Sequence, residues 1–427
     1  MRDLCVYIEI DGSRTRVGRI SGSRPENAVF RYEPAYLNAN GSRPVSISLP
    51  LQSEEFSPLR TKMFFEGLLP EGFTRRSVAQ WLRADENDFL TILAGLGKEC
   101  LGALQVLAEG DVPPEPVYRK LTKKEVRDFA AEGAAASAEL VTKAHLSLTG
   151  ASGKAGLYLD TKEGAWYLPE GTAPSTHIVK QSHVRLKDIV VNEQLCQLTA
   201  KYLGISVPDS FIAEPQAGEG LPMLFATSRY DRKMPACPVV LSGHPVPLRL
   251  HQEDFAQALG VPASEKYERP GGHYLHDMFV LLRMYSADPV SDQIRLWDMI
   301  IFDHLVGNAD NHIKNFSLLY NGSLSGIRLA PAYDMVSTAV YESQTRSMAM
   351  NIGGQYDLSS IGRASFAAAA AEAGIGSRMA LQRFDRMAEA FVPALEKAAD
   401  ELEKTGISRA AELKDEILRF GGIAALI

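Results

Sequence analysis

Between an apolar helical segment and a short strand lies the densest run of chemistry-bearing side chains in the sequence, with Asn308, Asp310, Asn311, His312, Lys314 and Asn315 packed into a few residues after Gly307. Asp310 and Asn315 stand five residues apart. That is the spacing of the phosphoryl-transfer pattern H-R-D-x-x-x-x-N, in which the carboxylate orients an attacking hydroxyl and the carboxamide helps hold Mg²⁺. A hairpin from Phe316 to Leu329, turned at Asn321-Gly322-Ser323, then returns the chain and delivers Asp334 beside Asn315. Paired oxygen ligands of this kind suit Mg²⁺. Either aspartate alone reads equally well as a turn residue; the two together favour phosphate chemistry.

Such chemistry also needs a grip on the phosphates. Lys180 closes the apolar strand His177-Ile178-Val179, and Glu193 falls on the following helix in line with Ile189, Cys196 and Ala200. A strand lysine paired with a glutamate of the next helix orients phosphates in protein kinases, whereas a strand-end lysine by itself is usually solvated. The loop Ser147-Leu148-Thr149-Gly150-Ala151-Ser152-Gly153-Lys154 is small and polar, suited to wrapping backbone N–H groups around phosphate oxygens. It is not a Walker A motif, because no hydroxyl follows Lys154 and the leading glycine spacing is missing. Gly95, Gly97 and Gly102 do not space as a dinucleotide fingerprint and read as a tight packing turn.

These residues require a β-rich start and a helical end. Turn-rich strands fill the first fifty or so residues, and the alternation of Val45, Ile47 and Leu49 with Ser46 and Ser48 predicts one of them. Helical patterning follows from Met63 to Leu82 and from Asp88 to Leu93, and Val112-Pro113-Pro114-Glu115-Pro116 reads as a linker. A helical segment is predicted around 120–135, strands near 145–148, 155–159, 176–180, 210–213 and 223–226, and a helix over 186–203 closed by Gly204. From Gln252 onward the pattern is helical, apart from strands at 316–319 and 327–329. The predicted domains are 1–115, 116–235 and 236–427: an N-terminal subdomain, an N-lobe with phosphate loop, lysine strand and hinge, and a mainly helical C-lobe.

Composition narrows the classes. With 45 basic and 52 acidic residues the net charge is −7, so no global basic field recommends direct nucleic-acid binding. No segment reaches the roughly 18 apolar residues of a membrane span, and the first residues read as a strand rather than a secretory signal, so a cytoplasmic protein is expected. Cys5, Cys100, Cys196 and Cys237 are scattered singly, which predicts reduced thiols and neither a zinc site nor disulfides.

Taken together the motifs resemble the HipA family of bacterial serine/threonine kinases over almost the whole chain. Phe64-Phe65-Glu66-Gly67-Leu68-Leu69-Pro70 and the Gly95 to Leu104 stretch look like its N-terminal subdomain. The Ser147 loop, the Lys180 strand, Asn192-Glu193, Ser228-Arg229-Tyr230-Asp231-Arg232, Asp310 to Ser317 and Tyr333-Asp334 look like its kinase core. The resemblance implies an α+β, two-lobed protein-kinase-like fold with a β-rich N-terminal subdomain and a mainly α-helical C-terminal lobe. It implies ATP and Mg²⁺, with Asp310 catalytic, Asn315 and Asp334 on the metal, Lys180 on the phosphates and His312 near the nucleotide. Ser228 and Tyr230 fall near a hinge that contacts adenine, although the family often has an acidic residue close to Ser228. Ser147 matches an autophosphorylated serine that silences the kinase by expelling its loop. Larger polar residues are common in the family where Ser152-Gly153 stand, so Thr149 and Ser152 compete as acceptors here. The resemblance further implies a helix-turn-helix, HipB-like antitoxin partner, DNA contact only through that antitoxin, and a cytoplasmic protein substrate such as an aminoacyl-tRNA synthetase. Two other readings stay open: a phosphotransferase for a small molecule or lipid, since the same residues activate any hydroxyl, and a catalytically idle module of an antitoxin–DNA complex.

Overall fold

Alternating apolar residues make the first strand, β1 (Leu4–Ile10), and Asp11-Gly12, both at positive φ, fold it directly into β2 (Ser13–Ser21). With β3 (Val29–Tyr32) and β4 (Leu104–Ala108) they form an antiparallel sheet of order β3-β2-β1-β4. The helices Pro58–Glu66, Gly72–Leu82 and Phe89–Leu96 fall between β3 and β4 in the chain. The computed structural model describes residues 3–112, 115–131, 153–182, 186–213 and 222–426. They group into two compact units, one of Met1–Val184, Ala213–Ala263 and Leu319–Gly326, the other of Arg185–Ile212, Ser264–Leu318 and Ile327–Ile427.

The first unit holds a second sheet, in which β5 (Val117–Lys120), β7 (Ala165–Glu170), β6 (Lys154–Asp160), β8 (His177–Gln181) and the strand Leu224–Ser228 lie side by side in that order. Leu157, Leu168, Val179 and Ala226 pack there against Phe129 of the helix Lys123–Ala131. The second unit is mainly helical, built from Ile189–Tyr202, Tyr274–Tyr285, Pro289–Val306, Arg363–Glu372, Ser377–Lys404 and Arg409–Phe420. Its core centres on Trp297, whose Nε1 donates to the Ala380 carbonyl at 3.1 Å. The architecture is α+β.

Two expectations need correction. Val45 to Leu49 is a turn rather than a strand, because the buried Tyr32 hydroxyl satisfies its backbone, accepting from Val45 N at 2.9 Å and donating to the Leu49 carbonyl at 2.5 Å. The segment Ser347–Ile352 pairs with Gln355–Asp357 as a hairpin where a helix is expected. Met348, Ala349 and Met350 favour helix locally, but pairing across the left-handed turn Gly353-Gly354 overrides them.

A buried ion network organises the first unit. Glu99 Oε1 meets Arg232 Nη2 at 2.6 Å and Arg229 Nη1 at 3.4 Å, while its Oε2 meets Arg249 Nη2 at 2.7 Å. Asp231 binds Arg229 at 2.6 Å and accepts from Gly102 N at 2.7 Å. The Gly95 to Leu104 turn and the Ser228 to Arg232 segment are thus one assembly. Burial alone would raise both carboxyls; the guanidiniums of Arg249, Arg232 and Arg229 outweigh it at Glu99, those of Arg229 and Arg232 at Asp231, and each is held at about 2. Because these values lie below the ordinary 4.5 and 3.8, the stabilisation is complete above about pH 4.5 and is lost as pH falls toward 2. Removing one partner of a buried ion set costs about 3–5 kcal/mol. Glu99→Gln should lose that much in denaturant unfolding at pH 7, and should show a shallower acid limb than wild type.

Candidate active site

The C-terminal half of the helix Pro289–Val306 is buried, Asp303 included. The helix stops at Gly307, where the backbone is left-handed with φ 77°. A Cβ there would lie 2.7 Å from the Ala339 Cβ and 2.9 Å from the Gly421 Cα, so only glycine fits without movement. The next residue reaches back, Asn308 Nδ2 donating to Asp303 Oδ1 at 2.9 Å. The turn Ile313–Asn315 then fastens the loop from below: Asn315 Nδ2 donates to the Asp310 carbonyl at 2.8 Å, and so does His312 N at 2.8 Å. The Asp310 carboxylate stays exposed, with Oδ1 accepting from the Tyr267 hydroxyl at 2.6 Å. The Tyr267 ring meets His312 edge-on, centroids 5.3 Å apart.

The hairpin strands Ser317–Tyr320 and Ile327–Leu329 return the chain to this loop. The Tyr333 hydroxyl donates to the Lys314 carbonyl at 2.8 Å, tying the residue before Asp334 to the residue before Asn315. Asp334 is held half-buried at φ 57°, a left-handed conformation that costs a non-glycine residue about 1 kcal/mol or more. Burial, and then the charge of Asp334, push the Asp303 carboxyl up to about 7. Asn311 Oδ1, one residue after Asp310, is buried without a hydrogen-bond partner among the described residues. Mg²⁺ prefers oxygen ligands, and the side-chain oxygens of Asn315 and Asp334 are the ones here that could hold it. Among the described residues no three His, Cys, Asp or Glu side chains gather around a metal position, and an Asn–Asp–phosphate set does not require them.

The remaining expected residues are distributed between the units. Lys180, buried on β8, stands in register opposite half-buried Lys154 on β6. Like charges directly opposite are unfavourable in a sheet unless other groups offset them. The Lys180 ammonium lies 5.8 Å from the Phe225 ring centroid, on the strand leading to Ser228. Gly153 precedes β6, and Ser228 and Tyr230 flank the buried Arg229. Glu193, buried on the helix Ile189–Tyr202, belongs to the second unit, with Asp310, His312, Asn315 and Asp334. Ser147, Thr149, Gly150 and Ser152 lie outside the described residues. Sequence reasoning passes over Tyr267, Asp303 and Thr227. Thr227 shares the Lys180 face through its register with Ile178, and its Oγ1 is buried without a partner among the described residues. Asp303 has a visible signal, a carboxylate directly after the apolar run Met299 to Phe302; Tyr267 has none, being far upstream of Asp310.

A model of the HipA-like C-terminal domain matches residues 146–395, and one of the HipA N-terminal domain matches residues 8–107. The chain is 36% identical over 395 residues to the putative kinase Y4mE of Sinorhizobium fredii, covering 90% of each. It is 30% identical over 329 residues to the serine/threonine-protein kinase toxin HipA of Shewanella oneidensis, covering 74% of this chain and 72% of that protein. In fold it is similar to a chain of the Shewanella oneidensis MR-1 toxin–antitoxin complex of HipA, HipB and operator DNA, with a TM-score of 0.76, 24% identity and 99% of each chain covered.

Asparagine at position 334 would keep the side-chain size, tolerate the left-handed backbone and remove the charge that bears on Asp303. Asp334→Asn should therefore unfold in metal-free buffer at the same temperature as wild type or a higher one. Thermal unfolding at pH 7 checks this, and a loss above about 2 kcal/mol would give Asp334 a packing role instead.

Proposed function

This chain belongs to the HipA family, and on that footing we propose that it is an ATP- and Mg²⁺-dependent serine/threonine protein kinase and the toxin of a toxin–antitoxin pair. One observation carries the reading: an exposed carboxylate, Asp310, whose own backbone carbonyl is gripped by the carboxamide of Asn315 at 2.8 Å. That arrangement aims one group at an acceptor while fixing its neighbour for the metal. The acceptor hydroxyl oxygen would bond to the γ-phosphorus as the bond from the bridging β,γ-oxygen breaks, its electron pair leaving with ADP and its proton passing to Asp310. Tyr267 holds Asp310 in orientation through the 2.6 Å hydrogen bond. Asn315 and Asp334 would hold Mg²⁺, which neutralises charge on the phosphate oxygens when bound. Lys180, opposite Lys154, would take the phosphates, with Glu193 as its helix partner, and Ser228 and Tyr230 would border the adenine. The proposed domains end near residues 115 and 235.

The likeness to the HipA–HipB–DNA complex supports a HipB-like helix-turn-helix antitoxin as partner, and the net charge of −7 supports DNA contact through that partner alone. No helix among the described residues is long and apolar enough to cross a membrane, and we place the activity in the cytoplasm on a protein hydroxyl.

Ser147 is the proposed autophosphorylation site, with Thr149 and Ser152 as competing acceptors. Mass spectrometry of purified wild-type protein should find phosphate on the segment bearing these three, and none in Asp310→Asn, whose transfer rate should fall about 10²–10⁴-fold. Phosphate persisting in the variant would assign it to another kinase.

A further inference from the structure

Asp334 is held in a left-handed conformation, and the contacts of the segment that follows it show what holds it. Ser337 is clasped by Asn192: its N–H donates to Asn192 Oδ1 at 3.0 Å, and its carbonyl accepts from Asn192 Nδ2 at 2.9 Å. The amide thus pairs with a peptide group as a neighbouring strand would. Asn192 is fully buried, and its carboxamide is saturated, since Nδ2 also reaches the Tyr341 hydroxyl and Oδ1 accepts from Cys196 Sγ, both at 3.3 Å. Only an asparagine meets both needs at this reach; aspartate cannot donate and leucine can do neither.

The next residue completes the hold. Thr338 Oγ1 accepts from Ala309 N at 2.8 Å and donates to the Gly307 carbonyl at 3.2 Å, and Ala339 N donates to the same carbonyl at 3.0 Å. The Asp334 segment is therefore fixed on one side to the loop of Asp310 and on the other to the helix Ile189–Tyr202. That helix is itself anchored, Asp188 before its first turn pairing with Arg409 at 2.9 Å.

We propose that Asn192 is a positioning residue for metal binding: by clasping Ser337 it keeps Asp334 in its left-handed conformation and its carboxylate aimed at the ion. The proposal rests on the kinase reading for what Asp334 does, but the clasp itself is measurable without activity. Losing the pair forfeits one to two net hydrogen bonds. In Asn192→Leu, hydrogen exchange at the Ser337 amide should accelerate about tenfold or more, and the Mg²⁺ concentration for half-maximal transfer should rise about tenfold. The KM for the hydroxyl acceptor should stay within about twofold, because Asp310 is held by Tyr267 and Asn315 instead. Asn192→Asp, which keeps the acceptor facing the Ser337 N–H and loses the donor, should fall between the two and serves if Asn192→Leu does not fold. A folded variant with wild-type exchange at Ser337 and an unchanged Mg²⁺ requirement overturns the proposal. Equal losses in Mg²⁺ requirement and acceptor KM also overturn it, since they report general loosening. Absence of transfer in wild type would sink the kinase reading while the exchange measurement still decides whether Asn192 holds the segment.

Discussion

Three stretches of backbone meet at Gly307. Its amide closes the helix Pro289–Val306, its carbonyl receives Thr338 and Ala339, and its α-carbon leaves too little room for any Cβ beside Ala339 and Gly421. This approach lets Asp310 emerge from the helix end within three residues and lets the Asp334 segment lie against the same loop. A bulkier residue would push the two acidic groups apart. The strain at Asp334 is tolerated because contacts on both sides over-determine it.

Each of the two units carries its own pair of like charges. In the second unit, burial and then the charge of Asp334 hold the Asp303 carboxyl well above its ordinary range. In the first, Lys154 and Lys180 stand opposite each other on neighbouring strands. The guanidiniums around Glu99 meet its carboxylate directly in a fully enclosed site. It ties the Gly95 to Leu104 turn to the Ser228 to Arg232 segment.

Much of this is legible in the sequence because it is local. The five-residue spacing of Asp310 and Asn315 is set within one loop, and the turn residues Asn321-Gly322-Ser323 announce the return that brings Asp334 back. The strand of Lys180 and the helix of Glu193 follow from short-range periodicity. What escapes is set by distant partners. Tyr267 binds Asp310 from 43 residues away, and nothing around it marks the contact. Asn192 stands in a stretch that resembles the family's kinase core, but nothing local marks its hold on Ser337, 145 residues away. Val45 to Leu49 alternates like a strand but is claimed by one tyrosine hydroxyl, and Ser347–Ile352 is helix-prone until it pairs.

Incubation of the purified protein with γ-labelled ATP, with and without Mg²⁺, tests the phosphoryl-transfer assignment most directly. The account predicts label on serine or threonine of the protein itself or of an added protein acceptor, dependent on Mg²⁺ and missing from an Asp310→Asn, Asp334→Asn double variant. Label that persists in the double variant, or a wild-type protein that transfers phosphate to no protein at all, would contradict it.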